Sequence, residues 1–115
     1  MKNIDLFDKD KNYVYGEYLV TIIDEFTGII AVNGEEVVLL PSDCKDLGYK
    51  VDEFEQGKTY VFDKRLIPDF GELAGWEKEI DGKLVYFESN RYGICYNDFN
   101  EAYAVSPKWC KQYIK

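Results

Sequence analysis

An all-β fold is what the sequence predicts, a small barrel or sandwich of about seven or eight short antiparallel strands with two brief helical turns. Three observations point there. Strand-length runs alternate apolar and polar side chains with a period of two, as in Tyr13–Ile23 and Lys58–Lys64. The hairpin dipeptides Asn33-Gly34 and Asp81-Gly82 lie between such runs. Tyrosine supplies 10 of the 115 residues, a usage that suits half-buried sheet faces, where the ring is covered and the hydroxyl stays wet.

Taken in order, residues 1–12 mix charge and apolar groups without a clean period and read as a lead-in. Tyr13–Ile23 is the clearest strand, with Val14, Tyr18, Val20 and Ile22 on one face and Tyr15, Glu17, Thr21 and Ile23 on the other. Asp24–Gly28 is expected to turn, with Gly28 supplying a positive φ. Ile29–Val32 and Glu36–Leu40 then pair about Asn33-Gly34 as a hairpin with a type I′ turn. Pro41–Gly48 is predicted as one helical turn, capped by Ser42 and closed by Gly48. Tyr49–Gln56 is an irregular connection, and Gly57 leads into Lys58–Lys64, with Tyr60 and Phe62 on one face.

Pro68 and Gly71 break the pattern, because proline removes a ladder donor, and residues 68–75 make the longest predicted loop. Trp76–Ile80 and Lys83–Glu88 are predicted to form a second hairpin around Asp81-Gly82. Ser89–Gly93 turns again, and Ile94–Tyr96 and Glu101–Val105 are short strands on either side of the polar Asn97–Asn100. Ser106-Pro107 opens a final helical turn, with a serine cap and proline in the first helical position. Trp109, Tyr113 and Ile114 are expected to dock that turn on the sheet.

A pattern recurs along the chain. Gly16-Glu17-Tyr18-Leu19-Val20, Phe26-Thr27-Gly28-Ile29, Asn33-Gly34-Glu35-Glu36-Val37, and Pro41-Ser42-Asp43-Cys44-Lys45 have counterparts in Gly82-Lys83-Leu84-Val85, Arg91-Tyr92-Gly93-Ile94, Asn97 with Glu101 and Val105, and Pro107-Lys108-Trp109-Cys110-Lys111. The expected organisation is one domain over residues 1–115 containing pseudo-repeats at 13–50 and 79–115, a size that supports one core. Two copies are too few for a solenoid. The order of short strands, tight turns and a closing helical turn is similar to the small SH3-like barrels, a likeness that bears on fold and not on function.

Charge is unevenly placed. The chain carries −8 overall; residues 1–57 hold 13 acidic and 5 basic side chains, whereas residues 58–115 hold 9 of each. Such a balance disfavours direct binding of nucleic acid or anionic lipid and steers basic partners inward. No apolar run is long enough to span a membrane, and the N-terminal residues carry no secretory pattern, so a cytoplasmic location is expected. Three cysteines without a Cys-x-x-Cys pair fit free thiols in a reducing compartment, and Cys44 and Cys110 read as matching core positions, not as a disulfide.

Chemistry is scarce. Histidine is absent, which removes the commonest general base and the Ser-His and Cys-His nucleophile pairs. No phosphate loop follows Gly71 or Gly75, and the Asp8–Asn12 stretch is only a fragment of a calcium loop. Carboxylate pairs such as Asp24 and Glu25 lie in turns open to water, without the desolvation that would split their pKa values. No enzymatic activity, no cofactor and no metal are expected.

Binding remains. Tyr13, Tyr15, Glu17 and Tyr18 open the first strand, Asp24, Glu25, Glu35 and Glu36 bracket the hairpin, and Asp43, Asp46, Asp52, Glu53 and Glu55 follow. Aromatic surface ringed by carboxylates suits a basic protein or peptide. The expected function is a non-enzymatic acidic protein that blocks a basic partner of nuclease or toxin type, in the manner of an immunity protein or a phage-encoded nucleic-acid mimic. Two alternatives are an SH3-like module that reads a basic or Pro-rich peptide through Trp76, Trp109 and the early tyrosines, and a structural subunit of a larger assembly.

Overall fold

The computed structural model describes residues 6–67 and 75–113. Residues 68–74 of the predicted loop 68–75, and the docking of Ile114, lie outside these residues. The chain divides into two compact units, Met1–Tyr49 and Lys50–Lys115. Among the described residues 45% are in strands, with one short helix; the strands are antiparallel, form three sheets and close no barrel.

In the first unit, β1 (Lys11–Tyr15) turns at Gly16 into β2 (Tyr18–Leu19), and β3 (Thr21–Asp24), β4 (Thr27–Val32) and β5 (Glu35–Leu39) follow as a meander. A 3-10 turn at Pro41–Asp43 leads into β6 (Lys45–Tyr49), which returns to pair with β1. The sheet orders are β2-β1-β6 and β3-β4-β5. In the second unit, β7 (Tyr60–Phe62) is followed by a 3-10 turn (Lys64–Leu66) and helix α1 (Trp76–Ile80). Then come β8 (Leu84–Phe87), β9 (Gly93–Tyr96), β10 (Ala102–Val105), a 3-10 turn (Pro107–Trp109) and β11 (Cys110–Gln112), in the sheet order β10-β9-β8-β7-β11.

Residue by residue, the second unit repeats the register of the first. Gly28 faces Leu39 and Ile30 faces Val37, as Gly93 faces Val105 and Cys95 faces Tyr103. Tyr13 faces Asp46 and Val14 faces Lys45, as Tyr60 faces Gln112 and Val61 faces Lys111. The cores follow suit. Phe7, Tyr13, Val20, Ile30, Leu39 and Cys44 are clustered in the first unit. In the same order Phe54, Tyr60, Val85, Cys95, Val105 and Cys110 are clustered in the second, with Phe62 and Ile80 added. Small details recur too: the N–H of Phe7 donates to Glu25 O at 2.8 Å and that of Phe54 to Asn90 O at 2.9 Å. Where the first unit needs only Gly16-Glu17 to pass from β1 to β2, the second inserts the whole stretch from Asp63 to Gly82.

Local chemistry explains both the agreements and the differences with the sequence reading. Asn33 (φ 53) and Gly34 (φ 81) make the predicted type I′ turn, and Ser106 accepts from the Lys108 N–H as the predicted cap of the last helical turn. Tyr13–Ile23, by contrast, is not one strand: Gly16 (φ 60) reverses the chain, so that Tyr15 faces Tyr18 across a hairpin. Gly28 has no positive φ and lies within β4; it is glycine because a Cβ there would come within 2.6 Å of Val20 and 2.9 Å of Phe7. Pro41–Gly48 is helical only over Pro41–Asp43, where the Asp43 carboxylate accepts from the Leu40 N–H at 3.1 Å, and Lys45 already starts β6. Trp76–Ile80 is a helix and not a strand: its i and i+4 side chains, Trp76 and Ile80, both pack on the core cluster, and Glu77 accepts from the Gly75 N–H at 2.9 Å.

Candidate functional site

The first unit carries the most distinctive surface. Residues 12–44 contain six carboxylates and neither lysine nor arginine. On β3-β4-β5 Ile22, Ile30, Val32 and Leu39 face inward onto the core, and Gly28 is the inward position that Val20 and Phe7 approach, so the pleat turns Thr21, Ile29, Ala31, Glu36 and Val38 outward. Large apolar groups of this sheet and its turns stay in water: Val38 is 67% exposed, Phe26 61%, Leu40 58% and Ile23 57%. A register shift between Ile22 and Asp24 puts Ile23 at a bulge.

Carboxylates mark both ends of this face. Asp24 and Glu25 form the β3–β4 turn, where Asp24 Oδ1 accepts from the Phe26 N–H at 2.8 Å and holds the turn in shape. Glu35 and Glu36 begin β5 after the Asn33-Gly34 turn, Glu36 on this face and Glu35, opposite Val32, on the other. Since Asp24 faces Thr27 and Glu35 faces Val32, the two acidic ends stand about 17 Å apart along β4 at the usual strand rise. At the Asp24 end lies an open concavity of about 690 Å³, with Leu6, Ile22 and Ile23 as apolar wall and Asp8, Asp24 and Glu25 among its polar lining, beside Lys9.

The other sequence-predicted site residues fall in different settings. Tyr13 is only 2% exposed; its ring meets Phe7 edge-on at 5.0 Å, so it is core. Tyr15 and Tyr18 are neighbours in the β1–β2 register and both are exposed, with Glu17 in the turn between them. Asp43 is exposed beyond β5. Asp46 is engaged, by Lys11 Nζ at 3.1 Å and by the Gly48 N–H at 2.7 Å. Asp52, Glu53 and Glu55 belong to the second unit, where Glu55 pairs with Lys58. The structure therefore gathers Asp24, Glu25, Glu35 and Glu36 on one sheet. Sequence reasoning passed over Asp8, Ile23, Phe26, Val38 and Leu40 as site residues, since it assigned no wet face to the Ile29–Leu40 hairpin.

In the second unit the inserted segment builds an aromatic cluster. Trp76 stacks on Tyr103 at 5.9 Å with 11° between planes and meets Trp109 at 6.0 Å. The Tyr103 hydroxyl donates to Glu79 at 3.4 Å, and burial together with Glu101 and Glu79 raises its pKa. Beside it, Asp63 is buried. Burial alone would push its carboxyl up, but hydrogen bonds from Arg65 and Lys111, at 2.7 and 3.1 Å, hold it down at about 2. Its Oδ1 also accepts from the Arg65 backbone N–H, which caps the 3-10 turn.

The three cysteines are buried and free. Burial pushes the Cys95 thiol up to about 11 and raises those of Cys44 and Cys110. Such thiols are packing groups, not nucleophiles. Among the described residues no cluster of His, Cys, Asp or Glu is arranged to hold a metal ion, and no helix is long and apolar enough to cross a membrane. Comparison with protein-family models, with curated proteins and with solved structures finds no match for the chain.

Proposed function

We propose that this is a non-enzymatic binding protein that covers a basic surface of a partner protein with the outer face of β3-β4-β5. The observation that carries the reading is the arrangement of that sheet: exposed Val38 and Leu40 along β5, exposed Ile23 and Phe26 at the β3–β4 turn, and carboxylates at both ends, in a stretch without a single lysine or arginine. Apolar side chains supply contact area, and acids set partner choice and encounter rate. A second copy is a poor partner, since each chain carries −8. Blocking a nucleic-acid groove, as an immunity protein or inhibitor would, needs this kind of surface, because such grooves are lined with Lys and Arg.

The strand order supports an SH3-like assignment for each unit: the last strand pairs with the first, a three-stranded meander lies between, and a 3-10 turn precedes the last strand. One observation favours a second reading, as a peptide module. Trp76 and Trp109, far apart in sequence, meet with Tyr103 in one aromatic cluster of the kind that Pro-rich segments dock on.

Titration calorimetry against a panel of basic nucleic-acid-handling proteins at rising salt tests the main reading. Binding is expected to weaken steeply as salt screens the carboxylates, and to be lost when Asp24, Glu25, Glu35 and Glu36 are changed together to Asn and Gln. Salt-independent binding, or none to any basic protein, overturns it. If Trp76→Ala alone abolishes binding while the fourfold variant retains it, the peptide-module reading takes its place.

A further inference from the structure

We infer that β5 is an open docking edge, and that an extended cationic segment of the partner adds to β3-β4-β5 as a further antiparallel or parallel strand. The inference rests on the reading that the partner is basic, and specifies how it is held. β5 is terminal in its sheet. The two-residue type I′ turn makes Val32 and Glu35 a hydrogen-bonded pair, so the ladder bonds recur at Ile30–Val37 and Gly28–Leu39. The N–H and C=O groups of Glu36 and Val38 therefore point away from β4, and no hydrogen bond from another described residue reaches them.

Natural sheet edges are blunted by lysine, proline, a bulge or an overlying element. β5 has no lysine and no proline, and its pairing with β4 runs without a register shift over all of Glu35–Leu39. It also keeps Val38 in water, with Leu40 exposed just beyond. Only its acids protect it: Glu35 and Glu36 turn away another copy of this chain and admit a strand that carries Lys or Arg. Glu36 and Val38 lie two residues apart on the same face. The fitting segment thus has a cation and a β-branched residue at the same spacing, Lys-x-Val or Arg-x-Ile where it runs parallel to β5 and Val-x-Lys or Ile-x-Arg where it runs antiparallel, so that each meets its complement.

The second unit supplies an internal control. Its edge strand, β10, has the same register, but Ala102 and Ala104 stand where Glu36 and Val38 stand in the first. The backbone edge is equivalent; the charge and the large apolar side chain are gone. A cationic strand is expected on β5 and not on β10.

The test uses the full chain, amide-resolved NMR and hydrogen exchange, and short peptides alternating Lys or Arg with Val or Ile. The expected result is slowed exchange and shifted resonances at the Glu36 and Val38 amides, with Ala102 and Ala104 unchanged. N-methylation of the peptide at its pairing residues, and Val38→Pro in the protein, are each expected to weaken binding by about tenfold or more, the worth of a main-chain hydrogen bond whose partner is left unmet. Val38 donates no ladder bond, so the proline leaves the sheet's own pairing in place; Val38→Lys, which keeps the N–H and adds repulsion, serves as a second variant. If the peptides bind elsewhere, or bind indifferently to N-methylation and Val38→Pro, strand addition is overturned while the acidic-surface reading stands. The same holds if basic proteins bind in a salt-dependent way and these peptides do not. If neither peptides nor basic proteins bind, both fall.

Discussion

The hydroxyl of Tyr13 accepts a hydrogen bond from the backbone N–H of Asp8 at 2.9 Å, while the ring lies edge-on to Phe7. Tyr60 does the same for the N–H of Glu55 at 3.1 Å, with Phe54 at its edge. Each tyrosine thus pins the segment that leads into the first strand of its unit, and the ring fills core that the hydroxyl alone could not.

Replacing Tyr13 or Tyr60 by Phe keeps the ring and strands the N–H. Each change is expected to cost about 1–2 kcal/mol in urea unfolding, the penalty of one unmet and partly buried donor. Burial raises the Tyr13 pKa, so its phenolate is disfavoured where it sits. Tyr103 is raised as well, so spectrophotometric titration should find a late phenolate step at high pH that shrinks by one tyrosine in the Tyr13→Phe variant.

Gly28 and Gly93 occupy equivalent places in β4 and β9, each under a valine and the phenylalanine of the lead-in segment. A Cβ on Gly28 meets side chains only, Val20 and Phe7. On Gly93 it collides with Val85 and also comes within 3.1 Å of the Tyr86 carbonyl oxygen, which belongs to the ladder and cannot turn away. Gly93→Ala is therefore expected to cost about 2–3 kcal/mol and Gly28→Ala about 1–2. Equal costs in denaturant melts would show that the backbone oxygen is not what limits the fit.

Much of the fold was legible because its signals are local. Asn33-Gly34 dictates its own turn, and alternation placed Tyr60 and Phe62 together on one face, which is the buried one. What was not legible depends on neighbours remote in sequence. Gly28 looks like a turn residue until Phe7 and Val20 are seen against it. Trp76–Ile80 alternates well enough for a strand, and only the packing of both ends on the second core makes it a helix. Of the candidate site, the acids were plain from charge alone; the exposure of Ile23, Phe26 and Val38 was not, because an exposed valine and a buried one read alike.

Cysteine reactivity should order itself by burial. Cys95 and Cys110 are fully enclosed and Cys44 is slightly exposed, with its thiol raised by burial and by Asp43. An aromatic disulfide reagent at neutral pH is expected to label none of the three quickly in the native chain. Cys44 should come first, and Cys95 and Cys110 only at the rate of unfolding. Prompt labelling of Cys110 would mean that the second core opens far more readily than its packing implies.

Asp63 sets a pH dependence whose sign is fixed. Its folded-state pKa is about 2 against an ordinary 3.8, so it contributes stability above the unfolded value that fades as pH falls from about 4 through about 2. Burial works against this charge. The donors that overcome it are Arg65, through side chain and backbone, and Lys111 from β11. The gap corresponds to about 2 kcal/mol at neutral pH. Asp63→Asn should remove most of that sum and flatten the acid limb of the stability curve between pH 4 and 2, without altering its neutral plateau's slope. Lys111→Met should act more weakly in the same direction, since Arg65 keeps its hold on the carboxylate. Denaturant midpoints measured across that pH range are the check; an Asp63→Asn variant with an unchanged acid limb would mean that some other carboxylate governs it.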